Sequence, residues 1–308
     1  MNAQILINNG TNWFEFSKSK TGQLDYLGKA AASESFDICD YEEVTSSTYF
    51  SPCEYTFLCS ELNQASKIFV APNVDISDRD TFSYLVHIGA LLNAVEAKDS
   101  LLAGELYLHK KAVFEKFSPL TKYILEDFSA EILFSLCFGR MKNADENTIP
   151  LIFDSAQKKL NLDLSKETLE QAYIRYFREN KTVVTLPIVG MEFYNWKKSS
   201  RILNKLICNL SDNILEEAEK IRKAKYLFFG SLKVAVQIEP YNEVDKNAIL
   251  VCIENVESKL FGNQGLEKAG HVRALAAKVI RTARQTQCSY KGKLMRLSDD
   301  ETVIQIAI

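Results

Sequence analysis

The sequence predicts an α+β fold, in which a helix-rich N-terminal domain is followed by a small C-terminal β-barrel with one or two helices. Three observations support this prediction. From Ser77 onward apolar residues recur at helical spacing, at Tyr226 their period changes to two, and 308 residues exceed what one hydrophobic core usually serves. The expected division is an N-terminal domain over 1–190, a linking segment over 191–225 and the barrel over 226–308.

The N-terminal domain is expected to be mixed but mainly helical. Up to about residue 70 it contains short apolar runs, such as "NWFEF" and "KIFVAP", which are compatible with short strands or helices. The segment "SDRDTFSYLVHIGALLNAVEA" then places apolar residues at helical spacing behind a Ser and Asp cap. Similarly, "SPLTKYILEDFSAEILFSLCFG" begins with Ser and Pro and ends at a Gly. Both segments are predicted to be buried helices.

The linking segment 191–225 is predicted to form one long helix or two abutting helices. An apolar stripe runs from Ile202 to Ile221, while "EEAEKIRKAK" faces water. Such a stripe packs most often against its own domain, and the other outcome is pairing with a second copy of the chain. A homodimer is therefore one of two expected arrangements.

The C-terminal segment has the pattern of a small barrel. In "SLKVAVQIEP" apolar and polar residues alternate, as in a half-buried strand, and "AILVCI" is apolar on both faces, as in a central strand. A helical stretch, "GHVRALAAKVIRTAR", and a final alternating strand, "TVIQIAI", follow. A module of this size can close as a barrel, which leaves no exposed strand edge.

Charge is distributed unevenly around the overall net value of -3. The body up to residue 223 is acidic in balance, whereas the remaining segment is basic. Between residues 268 and 298 every charged residue is basic, an arrangement typical of contact with phosphates. These residues are Lys268, Arg273, Lys278, Arg281, Arg284, Lys291, Lys293 and Arg296.

The predicted helix in this basic segment has two different faces. Helical geometry at 100° per residue places Arg273, Arg281 and Arg284 on one face with Lys278 at its margin. The opposite face is predicted to be core and consists of Leu275, Ala276, Val279 and Ala283. Either the basic face is simply solvated, or it continues with Lys291, Lys293 and Arg296 into a cationic surface for a nucleic acid.

Two features near this helix have alternative interpretations. Aromatic residues, including Phe229 and Tyr241, either lie in the barrel core or provide platforms for stacked bases. In the corner "EPYNEVDKN", the Asn and Asp side chains hydrogen-bond nearby backbone in the usual reading of such turns. Asn247 is assigned that structural role, whereas Asp245 is left open between a structural and a ligand-binding role.

The stretch "QIEPYNEVDKNAILV", followed by "KAGHVRALAAKVI", resembles the HIRAN domain over residues 224–308. The resemblance implies a small β-barrel of HIRAN type that binds DNA, in some members a single-stranded 3′ end. It further implies that Asp245 accepts a hydrogen bond from a terminal hydroxyl and that His271 lies near the phosphates. Val244 replaces the family's usual aromatic residue, and Tyr241 is a candidate substitute for it. The complete candidate nucleic-acid-binding set is Phe229, Tyr241, Asp245, Lys246, His271, Arg273, Lys278, Arg281, Arg284, Lys291, Lys293 and Arg296.

Little in the sequence predicts chemistry. The stretch "GQLDYLGKA" only approaches a phosphate-binding loop, and it has Ala30 where a Ser or Thr belongs. The three histidines are scattered and the seven cysteines form no CxxC pair, so the sequence predicts neither a metal site nor a disulfide framework. Neither a membrane span nor a signal peptide is evident, so a cytoplasmic protein is predicted. Because no catalytic motif was found, no catalytic residues and no cofactor are predicted.

These observations predict a non-enzymatic DNA-binding accessory protein. Its basic barrel would contact single- or double-stranded DNA, and its acidic body would bind a protein partner. The architecture also resembles bacterial HIRAN-containing accessory factors of type II CRISPR systems, which implies a role in antiviral defence and a Cas9-type nuclease as the partner. The alternatives are a metal-dependent nuclease with its acids in residues 1–223 and a module that binds only protein.

Overall fold

The structure is a computed structural model that describes residues 3–8, 12–30, 37–44, 67–140, 150–196, 232–255, 265–297 and 301–308. The chain divides into two compact units. The first comprises Met1–Ala97 and Glu105–Glu126, and the second comprises Lys98–Gly104 and Asp127–Ile308.

The first unit contains a five-stranded antiparallel sheet with the strand order β3-β2-β1-β5-β4. Its central strand is fully buried at Ile5, Leu6 and Ile7, so the sheet is covered on both faces there. The strands are β1 Ile5–Asn8, β2 Trp13–Lys18, β3 Leu24–Ala30, β4 Glu42–Glu43 and β5 Lys67–Val70.

Helices follow this sheet in the middle of the chain. Helix α1 begins where Asp78 accepts a hydrogen bond from the Thr81 amide, which satisfies one of the free donors of the first turn. His87 and Tyr84 of this helix are buried. The helices are α1 Arg79–Glu96, α2 Ser100–His109, α3 Lys111–Lys116 and α4 Ser118–Glu126.

The prediction of a helix-rich N-terminal domain is therefore wrong. The described residues before Arg79 form the five-stranded sheet, and the helices are central in the chain. The short runs "NWFEF" and "KIFVAP" supply strands β2 and β5. Strand β1 lies between them in the sheet and pairs with both. Its pairing with β5 joins residues far apart in sequence, so no local periodicity reveals the sheet.

In the second unit the first half of α2, up to Gly104, is followed by α5 Ser129–Phe134. Helix α5 continues as a π-helix over Ser135–Arg140. Helix α6 spans Pro150–Leu160, and α7 spans Leu169–Glu179 behind a capping box formed by Thr168 and Gln171. Aromatic rings join these helices. The rings concerned are those of Phe134, Phe138, Tyr173 and Phe177, with centroids 4.8–5.7 Å apart.

A closed barrel of six antiparallel strands completes the second unit, in the order β10-β11-β6-β9-β8-β7. The predicted C-terminal barrel is thus present. Helix α8, Ala274–Ala283, connects β9 to β10. The strands are β6 Val183–Val189, β7 Val234–Ile238, β8 Ile249–Glu254, β9 Leu266–Val272, β10 Ser289–Leu297 and β11 Thr302–Ala307.

Strand β6 enters the barrel from the range assigned to the N-terminal domain. It pairs with β11 through Val184 opposite Ile306 and Leu186 opposite Ile304, and with β9 at its other end. Gly270 permits the close approach of β9 to the end of β6, since a Cβ there would lie 2.6 Å from the Val189 carbonyl oxygen. Residues 197–231, which hold most of the predicted linking helix, lie outside the described residues. Among the described helices, none has the length and hydropathy needed to cross a membrane.

Candidate nucleic-acid interface

The corner between β7 and β8 is held by its own side chains. Asn242 Oδ1 accepts hydrogen bonds from the amides of Val244 and Asp245, at 3.0 and 2.9 Å. Asp245 Oδ1 in turn accepts from the Asn247 amide at 2.8 Å. One oxygen of Asp245 is therefore used to fix the turn, which is the structural alternative considered for it.

Glu239, at the end of β7, connects this corner to β9. Its carboxylate lies 2.9 Å from His271 Nε2, 2.8 Å from Asn242 Nδ2 and 3.3 Å from Lys268 Nζ. The hydrogen bond from His271, followed by those from Asn242 and Lys268, lowers the pKa of Glu239 to about 2. Sequence reasoning selected His271 but missed Glu239, although this acid stands directly before the proline of the corner.

Three aromatic residues lie beside this network or next in the chain to residues in or beside it. Strand β6 is followed by Gly190, whose φ of 77° turns the chain into a short 3-10 helix, Met191–Phe193. The side chain of Phe193 is 80% exposed, and the ring centroid of Tyr194 lies 6.0 Å from that of His271. In the corner, Tyr241 is 94% exposed. We call the surface formed by Phe193, Tyr194, Glu239, Tyr241 and His271 the barrel rim.

Sequence reasoning predicted Tyr241 and His271 of this rim but missed the pair Phe193 and Tyr194. The signal was an aromatic pair immediately after the alternating run "KTVVTLPIVG". Val244, in the corner itself, is 98% exposed. Phe193 and Tyr194 belong to a segment outside residues 224–308.

The three arginines of the α8 segment each bind a backbone carbonyl. Arg273 donates to Gly139 at the end of the π-helix, at 3.3 Å, and Arg281 donates to the carbonyl of Lys246. Arg284 donates to Asn180 at 2.8 Å and to Arg178 at 3.5 Å. These contacts fix α8 to neighbouring elements, so the guanidinium groups have a structural role beside any contact with phosphates.

The remaining basic residues occupy different surroundings. Lys278 pairs with Glu170 at 2.7 Å, and Arg296 lies 3.9 Å from the buried carboxylate of Asp99. Lys293 is half-buried and Lys291 is exposed. The predicted core face of α8 is only partly buried. Ala276, Val279 and Ala283 are buried, whereas Leu275 is 43% exposed.

Neither Phe229 nor a metal centre can be placed in this interface. Phe229 lies outside the described residues. Within the described ranges, no group of three or more His, Cys, Asp or Glu side chains converges in a way that could hold a metal ion.

Comparison with known proteins gives no identification. No protein-family model, no curated protein and no solved structure matches this chain.

Proposed function

We propose that this chain is a non-enzymatic nucleic-acid-binding accessory protein that holds DNA at the barrel rim. The observation that carries the proposal is the exposure of Phe193 and Tyr241. These residues adjoin, in the chain, Tyr194 beside His271 and Asn242 beside Glu239. Exposed aromatic rings are the usual platforms for unpaired bases, and each stacked base contributes about 1–3 kcal/mol.

The surroundings of the rim favour a ligand that is held by side chains. The closed barrel offers no free strand edge for pairing with an added peptide strand. Lys268 supplies positive charge at the rim, and the carboxylate of Glu239 is compensated by its contacts with His271 and Lys268. A single strand that stacks on the rings and places phosphates near these groups matches this arrangement.

The resemblance to the HIRAN domain supports the same conclusion, because its corner motif lies at the rim. We propose with it that the acidic body binds a protein partner, and a Cas9-type nuclease is the partner that the resemblance implies. The apolar stripe of residues 202–221, which lies outside the described residues, is the proposed dimer contact. Co-purification from the native host with a nuclease, and the mass of the purified chain in solution, test these two points.

The experiment for the rim is a binding titration with a fluorescein-labelled single-stranded oligonucleotide, followed by anisotropy. We expect Phe193→Ala and Tyr241→Ala each to weaken binding about tenfold, which corresponds to one lost stacking contact. Leu164→Ala is the matched control, since Leu164 is also an exposed apolar side chain but lies between α6 and α7. Unchanged affinity of both rim variants would contradict the proposal.

A second candidate is a module that binds only protein, and the exposure of Val244 beside Tyr241 favours it. The corner also carries acids, Glu243 and Asp245, which repel phosphates. Salt dependence separates the two candidates. Binding to DNA through 6–10 phosphates weakens by about 10³–10⁵ between 50 and 200 mM salt, whereas a protein-only module binds no oligonucleotide at either concentration.

A further inference from the structure

A second basic surface lies in the same unit, away from the rim. It is a groove of about 870 Å³ bordered by the end of α7, the start of β6 and the end of β11. None of the rim residues lines it. Its basic side chains are Lys98, Lys159, Lys181, Arg284 and Lys291.

The charge of this groove is only partly compensated. Asp127 and Glu131 are its acidic side chains, and Glu131 is occupied by an ion pair with Lys159 at 3.3 Å. Lys98, Lys181 and Lys291 are exposed, and no ion pair joins them to a carboxylate in the described part of the chain. Several like charges facing one concave surface raise the local positive potential, which an anionic ligand lowers.

The floor of the groove is fixed by buried hydrogen bonds. Glu131 Oε1 accepts from the hydroxyls of Tyr176 and Thr182, each at 2.7 Å, and its other oxygen meets Lys159. These bonds join α5, α6, α7 and the residue before β6. The floor of the groove is therefore held in one arrangement, and the exposed side chains of Lys98, Lys181 and Lys291 stand at its border.

Arg284 contributes a positive charge whose position is fixed. Its Nη2 donates to the carbonyl of Asn180 at 2.8 Å, which holds the guanidinium at the groove wall. A guanidinium held in this way adds to the positive potential that attracts a phosphate group.

We propose that this groove binds the phosphodiester backbone of a nucleic acid, at a site separate from the bases held by the barrel rim. The inference rests on the proposed function and extends it. The lysines of the groove give affinity without sequence preference, because phosphate contacts position a nucleic acid and do not read its bases. The ligand is thus held twice, by stacking at the rim and by charge in the groove.

The test compares two triple variants of the full chain that carry the same change in net charge. The groove variant is Lys98→Gln, Lys181→Gln and Lys291→Gln. The control variant is Lys20→Gln, Lys158→Gln and Lys166→Gln, in which all three lysines are exposed and none lines the groove. Circular dichroism and thermal unfolding establish that both variants are folded.

The readout is the affinity for a duplex and for a single strand as a function of salt. Each lost phosphate contact lowers the slope of log K against log salt by about 0.9 for duplex and about 0.7 for single strands. We expect the slope of the groove variant to fall by about two to three relative to wild type and its affinity to fall at least tenfold at low salt, with the control variant unchanged. Phe193→Ala is expected to lower affinity but to leave the slope intact.

Each other result overturns the inference in a recognisable way. If wild type binds DNA but the groove variant behaves as the control does, the groove is not a backbone site and the proposed function stands. If wild type binds no nucleic acid, the proposed function falls together with the inference. If wild type binds inorganic phosphate and the groove variant does not, while the DNA affinity and salt slope of the groove variant equal those of wild type, the groove holds a small phosphate and not a polymer backbone.

Discussion

His271 Nε2 lies 2.9 Å from the carboxylate of Glu239 and thereby joins strand β9 to the end of strand β7. The same carboxylate accepts from Asn242 in the corner, so one acid holds the strand, the corner and the rim together. The pKa of Glu239 falls from 4.5 to about 2 as a result.

The lowered pKa of Glu239 predicts a specific acid sensitivity. Because the pKa is depressed in the folded state, the stabilisation is complete above pH 4.5 and is lost as the pH falls toward 2. Glu239→Gln should reduce the free energy of unfolding at pH 7 by about 2 kcal/mol and flatten its decline between these pH values. Urea unfolding at several pH values measures both effects. Glu243→Gln, at an exposed acid of the same corner, should keep the profile of wild type.

Arg284 is predicted to stabilise the end of α7. Its guanidinium donates to the carbonyls of Arg178 and Asn180, which have no partner within the helix. Arg284→Ala should therefore lower the free energy of unfolding by about 1 kcal/mol. Lys291→Ala, at another basic residue of the groove, should change it by less than about 0.5 kcal/mol. Equal effects in chemical denaturation would show that the carbonyl contacts contribute nothing.

Gly270→Ala should disrupt the barrel where β9 approaches the end of β6. The added Cβ would lie 2.6 Å from the Val189 carbonyl oxygen, and the φ of 156° is itself unfavourable for alanine. We expect a loss of more than about 2 kcal/mol, measured as a lower melting temperature. Gly22→Ala is the control for backbone strain alone, since its φ is 86° but no atom lies within 4 Å of the added carbon. If the clash at Gly270 contributes, Gly270→Ala lowers the melting temperature more than Gly22→Ala does, and equal losses would contradict it.

Removal of the Glu131 side chain should be costly because it is buried and satisfies two hydroxyls. Glu131→Ala leaves the Tyr176 and Thr182 hydroxyls without their acceptor and Lys159 without its ion pair. The expected loss is about 3 kcal/mol, whereas Tyr176→Phe, which removes one hydrogen bond, should cost about 1 kcal/mol. Guanidinium unfolding of the two variants gives the comparison, and similar losses would mean that the carboxylate is not the centre of this network.

The barrel could be predicted from sequence where its signals are local. The alternation in β7 and β11 and the continuous apolar run of β8 depend only on neighbouring residues, and the structure forms strands there. The corner was likewise readable, since Asn242 and Asp245 bond to backbone two or three residues away. Local turn chemistry and strand period are visible without knowledge of the partners.

The features that sequence could not predict depend on distant partners. The role of Arg284 follows from the carbonyl of Asn180, and that of Arg273 from the carbonyl of Gly139. Helical geometry assigned both arginines to one face but could not show which backbone groups that face meets. The prediction of the N-terminal domain failed for the same reason, because β1 pairs with β5 across a long stretch of chain.

The position of β6 in the chain determines when the barrel can be completed during protein synthesis. This strand leaves the ribosome long before β11, its neighbour in the barrel, so its hydrogen-bonding edge stays open while the rest of the chain is translated. An open edge is a template for pairing with other nascent chains. We therefore expect more misassembly when translation pauses between residues 190 and 302, because β6 then waits longer for its partner.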